Sequence, residues 1–107
     1  MAEIIVTRAQ ERGRVDLRSG DTLVVRLAET PSSGFRWAVE GSLPAPLIST
    51  SDTFLPSPDS AVGGGGIREL SFRASAAGSC ELRLVLWRQW EGESSITNRF
   101  SVRVSIV

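Results

Sequence analysis

Apolar and polar residues alternate with a period of two along most of this chain, and no stretch holds a 3.6-residue period. The clearest run is Arg99–Val107. Phe100, Val102, Val104 and Ile106 point one way, and Arg99, Ser101, Arg103 and Ser105 the other, as in a strand with one buried and one wet face. Thr22–Leu27 divides in the same manner, with Leu23, Val25 and Leu27 inward against Thr22, Val24 and Arg26. In Phe35–Glu40 the inward set is Phe35, Trp37 and Val39. Further strands are expected at Ile4–Arg8, Arg14–Leu17, Leu47–Leu55, Ile67–Ala74 and Cys80–Trp90.

Turn residues punctuate these runs: Gly13, Ser19-Gly20-Asp21, then Gly41, Pro44 and Pro46, then Ala77-Gly78. Short strands with frequent turns predict an all-β chain, an immunoglobulin-like antiparallel β-sandwich of about seven to eight strands. Trp37, inward on a mid-chain strand, suits its core. With 107 residues and no internal repeat, 1–107 reads as a single domain. The loosest segment is Pro56–Gly66, rich in Pro, Ser, Asp and Gly, which suits either a floppy hairpin tip or a binding loop.

Composition narrows the function. Twelve basic and twelve acidic residues cancel, which argues against a nucleic-acid or anionic-membrane partner, since either needs a basic surplus. All twelve basic residues are Arg. Coding bias accounts for that, although the planar guanidinium also suits interfaces. There is no His, so Ser-His-Asp and Cys-His catalysis and His-ligated metal sites are excluded. No cofactor or metal is expected. The single Cys80 shares a face with Leu82 and Leu84 and reads as a buried structural thiol, because nothing is present to activate it. No apolar run is long enough for a transmembrane helix. The chain enters a strand directly after Met1-Ala2-Glu3, as a cytoplasmic protein would, or one whose leader has been removed. No pattern calls for self-association, so a monomer is expected.

Three inter-strand segments stand out. In Thr30-Pro31-Ser32-Ser33-Gly34, Pro31 restrains the backbone, the two serines bond locally, and Gly34 permits positive φ just before Phe35-Arg36-Trp37. This is ordinary turn chemistry, but the aromatic pair would give the loop a rigid base, as insertion into a cleft requires. Gly63-Gly64-Gly65-Gly66 is either a hairpin tip or a bare backbone edge able to pair with a partner strand. It is a poor phosphate loop, lacking the lysine and the following helix. In Trp87-Arg88-Gln89-Trp90, two indoles and a guanidinium end a strand, residue types enriched in interface hot spots. Parity suggests one Trp buried and one exposed, with Trp90 the exposed one. Each segment joins an odd strand to an even one, and in an up-and-down trace all three lie at one end.

In this order the segments resemble the three binding loops of the chagasin-like inhibitors of papain-family cysteine proteases: Asn-Pro-Thr-Thr-Gly-aromatic-x-Trp, Gly-x-Gly-Gly and Arg-Pro-Trp. The match runs through Pro31, Gly34, Phe35 and Trp37, through Gly63, Gly65 and Gly66, and through Arg88 and Trp90. Thr30 stands where the family prefers Asn, Ser32 and Ser33 replace the threonines, and Gln89 replaces Pro. The resemblance implies a non-enzymatic, reversible, non-covalent inhibitor. Pro31–Gly34 would enter the cleft near the catalytic cysteine, Gly63–Ile67 would lie along the substrate groove, and Arg88–Trp90 would pack on the other side. The protease-binding set is then Thr30, Pro31, Ser32, Ser33, Gly34, Phe35, Gly63, Gly64, Gly65, Gly66, Ile67, Arg88, Gln89 and Trp90. Another class fits the residues too: a carbohydrate-binding or adhesion module stacking sugars on Trp87 and Trp90. An enzyme would have to use carboxylates such as Glu91 and Glu93, which read as a solvated cluster.

Overall fold

The computed structural model describes residues 2–30, 33–57 and 65–107. Among them run eight strands: β1 Glu3–Val6, β2 Arg14–Leu17, β3 Thr22–Glu29, β4 Arg36–Val39, β5 Leu47–Pro56, β6 Gly66–Ala74, β7 Gly78–Trp87 and β8 Asn98–Ile106. They form two sheets, ordered β1-β3-β6-β5 and β2-β8-β7-β4. The alternating positions meet between the sheets. Val6, Leu23, Val25, Leu27, Leu70 and Phe72 of the first pack with Leu17, Trp37, Leu82, Leu84, Phe100, Val102 and Val104 of the second. Each such side chain stabilises the fold by about 1.5–3 kcal/mol when fully buried. The all-β sandwich is therefore the one that the alternation predicts.

The sheets are mixed, not purely antiparallel. β1 pairs with β3 in parallel and β2 with β8 in parallel, while the other neighbours are antiparallel. Both parallel pairs arise because the segment after β1 crosses to the opposite sheet instead of turning back. Thr7 starts that crossing. It caps a 3-10 helix, Arg8–Gln10, and the Gln10 side chain accepts the Thr7 amide at 2.7 Å. The strand expected to reach Arg8 thus stops at Val6, at a Thr-x-x-Gln capping box. Strand direction still alternates along the chain, so β3, β5 and β7 all run towards one pole. That pole carries the three loops.

Two apolar residues on the outer faces depart from simple parity. Val24, expected outward, is buried; it lies mid-sheet with Ile5 and Ser71 beside it in register. Val85 is likewise buried between Ala38 and Arg99 on the outer face of the second sheet. Central strands are covered by their neighbours even on the solvent side.

At the opposite pole, Asp21 ties the chain start to the β2–β3 turn. Its carboxylate accepts the backbone N–H groups of Ala2 and Arg18, both at 2.9 Å. These bonds, Arg18's first, hold its carboxyl below the usual aspartate range. A carboxyl lowered in the folded state contributes stability above its unfolded pKa and loses it as pH falls through the folded value. Acid titration of the melting temperature is expected to show a drop below the ordinary aspartate range, and Asp21→Asn to flatten it. An unchanged slope in the variant would assign the acid sensitivity elsewhere.

Cys80 is half-buried against the core, and burial pushes its thiol above the usual range. It opposes Val104 on β8, towards the pole away from the loops.

Candidate functional site

The first loop, between β3 and β4, is a closed turn. Ser33 donates its backbone N–H to the Thr30 carbonyl at 3.1 Å and its hydroxyl to the same oxygen at 2.6 Å, and Ser33 Oγ accepts the Phe35 amide at 3.2 Å. Gly34 sits at φ +81°, a conformation that side chains rarely adopt. Pro31 and Ser32 lie outside the described residues.

Beyond the loop the expectation for Phe35 fails. It precedes β4, is half-buried and does not join the core. The turn at Gly34 places its ring beneath the Arg88 guanidinium, 4.5 Å from carbon to ring centroid, a cation–π distance. Trp37 alone anchors the loop base, 2% exposed, with its indole N–H donated to the Ala28 carbonyl at 2.9 Å.

The strand expected to run to Trp90 stops at Trp87, the end of β7, and the third loop follows. Arg88 caps a 3-10 segment, Gln89–Ser95, broken at Gly92 where φ is +74°. Ser95 closes the segment, accepting the Arg88 amide at 3.0 Å and donating to the Gly92 carbonyl at 2.7 Å. Arg88 faces its own protein: Nε and Nη2 donate to the Ser33 carbonyl at 3.2 and 2.9 Å, and Nη1 lies 3.4 Å from Glu91. The guanidinium thus clamps the first loop to the third. Above the clamp Trp90 stands 73% exposed, and a Cβ on Gly34 would come within 3.1 Å of its Cη2. The backbone requires glycine at position 34, and a side chain there would also press on the indole lying against it. Gln89 is exposed, and Trp87 is half-buried.

Of the glycine run, Gly63 and Gly64 lie outside the described residues. Gly65 comes beside the first loop: a Cβ there would meet the Glu29 carbonyl and Thr30 Oγ1 at 3.5 Å, an ordinary contact. Gly66 pairs with Pro56 and Glu29, and a Cβ there would lie 2.3 Å from the Leu55 carbonyl oxygen. No larger residue fits without moving backbone. Ile67 faces outward in register with Ala28 and Leu55 and lines a cleft of about 450 Å³ beside Trp37 and Arg8.

Beneath the first two loops lies a feature that the alternation did not reveal. Glu29 and Arg68 occupy inward positions and are 4% and 9% exposed. Arg68 Nη2 donates to Glu29 Oε1 at 2.7 Å and Nε to both oxygens at 3.1 and 3.2 Å. Glu29 Oε2 also accepts the Trp37 amide at 2.8 Å. Arg68 Nη1 reaches Asp52 at 3.0 Å, and Asp52 in turn accepts from Arg36 at 2.8 Å. The Arg68 guanidinium also lies 5.6 Å from the Phe54 ring centroid. The hydrogen bonds it donates to Glu29 hold the Arg68 proton more tightly than usual, against an opposing push from burial. The only signal in the sequence is two charged residues at inward parity, a violation that marks a buried pair.

The loops at this pole therefore present a glycine-bearing turn, a bare glycine strand end and a single exposed indole on a clamped base. A sequence model described as the Chagasin family peptidase inhibitor I42 matches residues 16–104. The chain belongs to the chagasin family. That is a family of inhibitors and not of enzymes. Among its relatives, chagasin of Trypanosoma cruzi is 27% identical over 101 residues, covering 91% of this chain and 92% of that protein. Amoebiasin-2 of Entamoeba histolytica is 27% identical over 90 residues, covering 81% and 72%. The crystal structure of the Entamoeba histolytica cysteine protease inhibitor EhICP2 superposes with a TM-score of 0.84 at 22% identity, over 99% of this chain and 96% of that one. PbICP-C, solved in complex with falcipain-2, superposes at 0.60 with 15% identity, over 98% and 89%. These chagasin-type structures share the sandwich, which carries the loops here at the ends of β3, β5 and β7.

Proposed function

We propose that this chain, read as one domain over 1–107, is a reversible, non-covalent inhibitor of papain-family cysteine proteases, whose three loops occlude the active-site cleft. The contact set is Thr30, Pro31, Ser32, Ser33, Gly34, Phe35, Gly63, Gly64, Gly65, Gly66, Ile67, Gln89 and Trp90, with Arg88 holding the first loop in place. Family membership supports the class, and the solved complex of PbICP-C with falcipain-2 supports a protease as the partner. The observation that carries the mechanism is the Arg88 clamp, which presents Gly34 and Trp90 as one preorganised unit. The one thiol, Cys80, lies towards the far pole, out of reach of a protease cysteine seated at the loops. A sugar-stacking module is less well supported, since Trp87 is half-buried and Trp90 packs over a glycine turn.

The test is a titration of papain on a fluorogenic peptide. Saturable one-to-one inhibition, with the protein recovered uncleaved, is expected. Inert behaviour towards papain and a cathepsin panel would reject the reading. Gly34→Val is expected to raise the inhibition constant at least tenfold, a larger effect than the roughly 1–2 kcal/mol of fold stability that positive φ costs a side chain there, because the strain falls on the turn and on the Trp90 contact. A large melting shift with inhibition intact would place Gly34 in the fold and not in the site.

A further inference from the structure

We infer that the buried Glu29–Arg68 pair is a positioning device that sets the first and second loops relative to each other, so that inhibition depends on two residues no protease touches. The inference rests on the inhibitor reading above. Glu29 is the last residue of β3 and Trp37 the second of β4. By bonding the Trp37 amide, the Glu29 carboxylate closes the neck of the first loop from both sides. Arg68 stands two residues past Gly66 and bonds Glu29 on β3 and Asp52 on β5. One guanidinium thus joins the strand entering the second loop, the strand leaving it and the neck of the first.

Packing alone does not call for this arrangement. Inward neighbours on the same strands are Leu27 and Leu70, and a buried ion pair is usually no more stabilising than well-packed apolar residues of similar volume. What an apolar pair would lack is direction. Aliphatic side chains can slide, whereas a forked guanidinium donates to a carboxylate in few orientations. Two loops that must enter one cleft together bind only when they hold their joint arrangement. If that arrangement is populated a tenth of the time, apparent affinity falls about tenfold.

The test is the double variant Glu29→Gln/Arg68→Met. It removes both buried charges and keeps an acceptor for the Trp37 amide. Its control is Val104→Ala, which destabilises the core towards the far pole. Inhibition constants against papain are measured well below the melting temperature of each protein. The double variant is expected to inhibit at least tenfold more weakly than the parent, with Val104→Ala within twofold of it. Equal inhibition by parent and double variant overturns the inference alone. So does a comparable loss in Val104→Ala, which would make stability the cause. A parent that leaves papain and its relatives untouched overturns the inhibitor reading and this inference with it.

Discussion

Arg68→Ala is expected to destabilise the protein by about 3–5 kcal/mol, the range for breaking a buried ion pair by removing one partner. The physical reason is what remains behind. Glu29 is left without its arginine at 4% exposure, with the Trp37 amide as the remaining donor described for it. Asp52 loses one of its two arginines, and the Phe54 ring loses the guanidinium beside it. The exposed ion pairs behave differently. Arg14–Asp16 and Arg83–Glu81 are solvated, and pairs of that kind contribute roughly 0–1 kcal/mol. Urea denaturation of Arg68→Ala beside Arg83→Ala measures the contrast directly. Similar midpoints for the two variants would mean that the buried pair adds no more to the fold than an exposed one.

Trp90→Ala is expected to weaken inhibition by about 2 kcal/mol or more, near 30-fold, with the melting temperature unchanged. Among the described residues, Trp90 is the large apolar side chain most exposed at the loop pole. Truncation removes no core contact, since the indole lies over Gly34 and beside the Arg88 clamp and not between the sheets. The change acts on binding alone if Trp90 fills a pocket on the protease. Dissociation rates are the most direct reading, because interface truncations act mainly on koff. An unchanged inhibition constant would remove Trp90 from the contact set and shift the weight to the glycine loops. The two expected results separate cleanly: Arg68 is read in stability, and Trp90 in affinity.

The sequence by itself determined the class of the fold and the identity of the loops. Period-two alternation at Phe100, Val102, Val104 and Ile106 leaves no option but a strand with one buried face, and those four are buried. Pro31, Gly34, Trp37, Arg88 and Trp90 carried enough side-chain chemistry, in order, to resemble one family. Local rules suffice there, because strand parity and turn residues act over a few positions. Tertiary structure decided the rest. The parallel pairing of β1 with β3 depends on where the chain crosses between sheets, which no local pattern encodes. Phe35 left the core because Arg88, distant in sequence, offers its ring a guanidinium. Arg88 turned inward to Ser33 for the same kind of reason. Glu29 and Arg68 sit at inward parity, where a reader of patterns expects aliphatic residues, and only the register of β3 against β6 brings their charges together. A charge is tolerable inside a protein when its partner is close and well oriented, and that partner is a property of the folded chain, not of the segment around it.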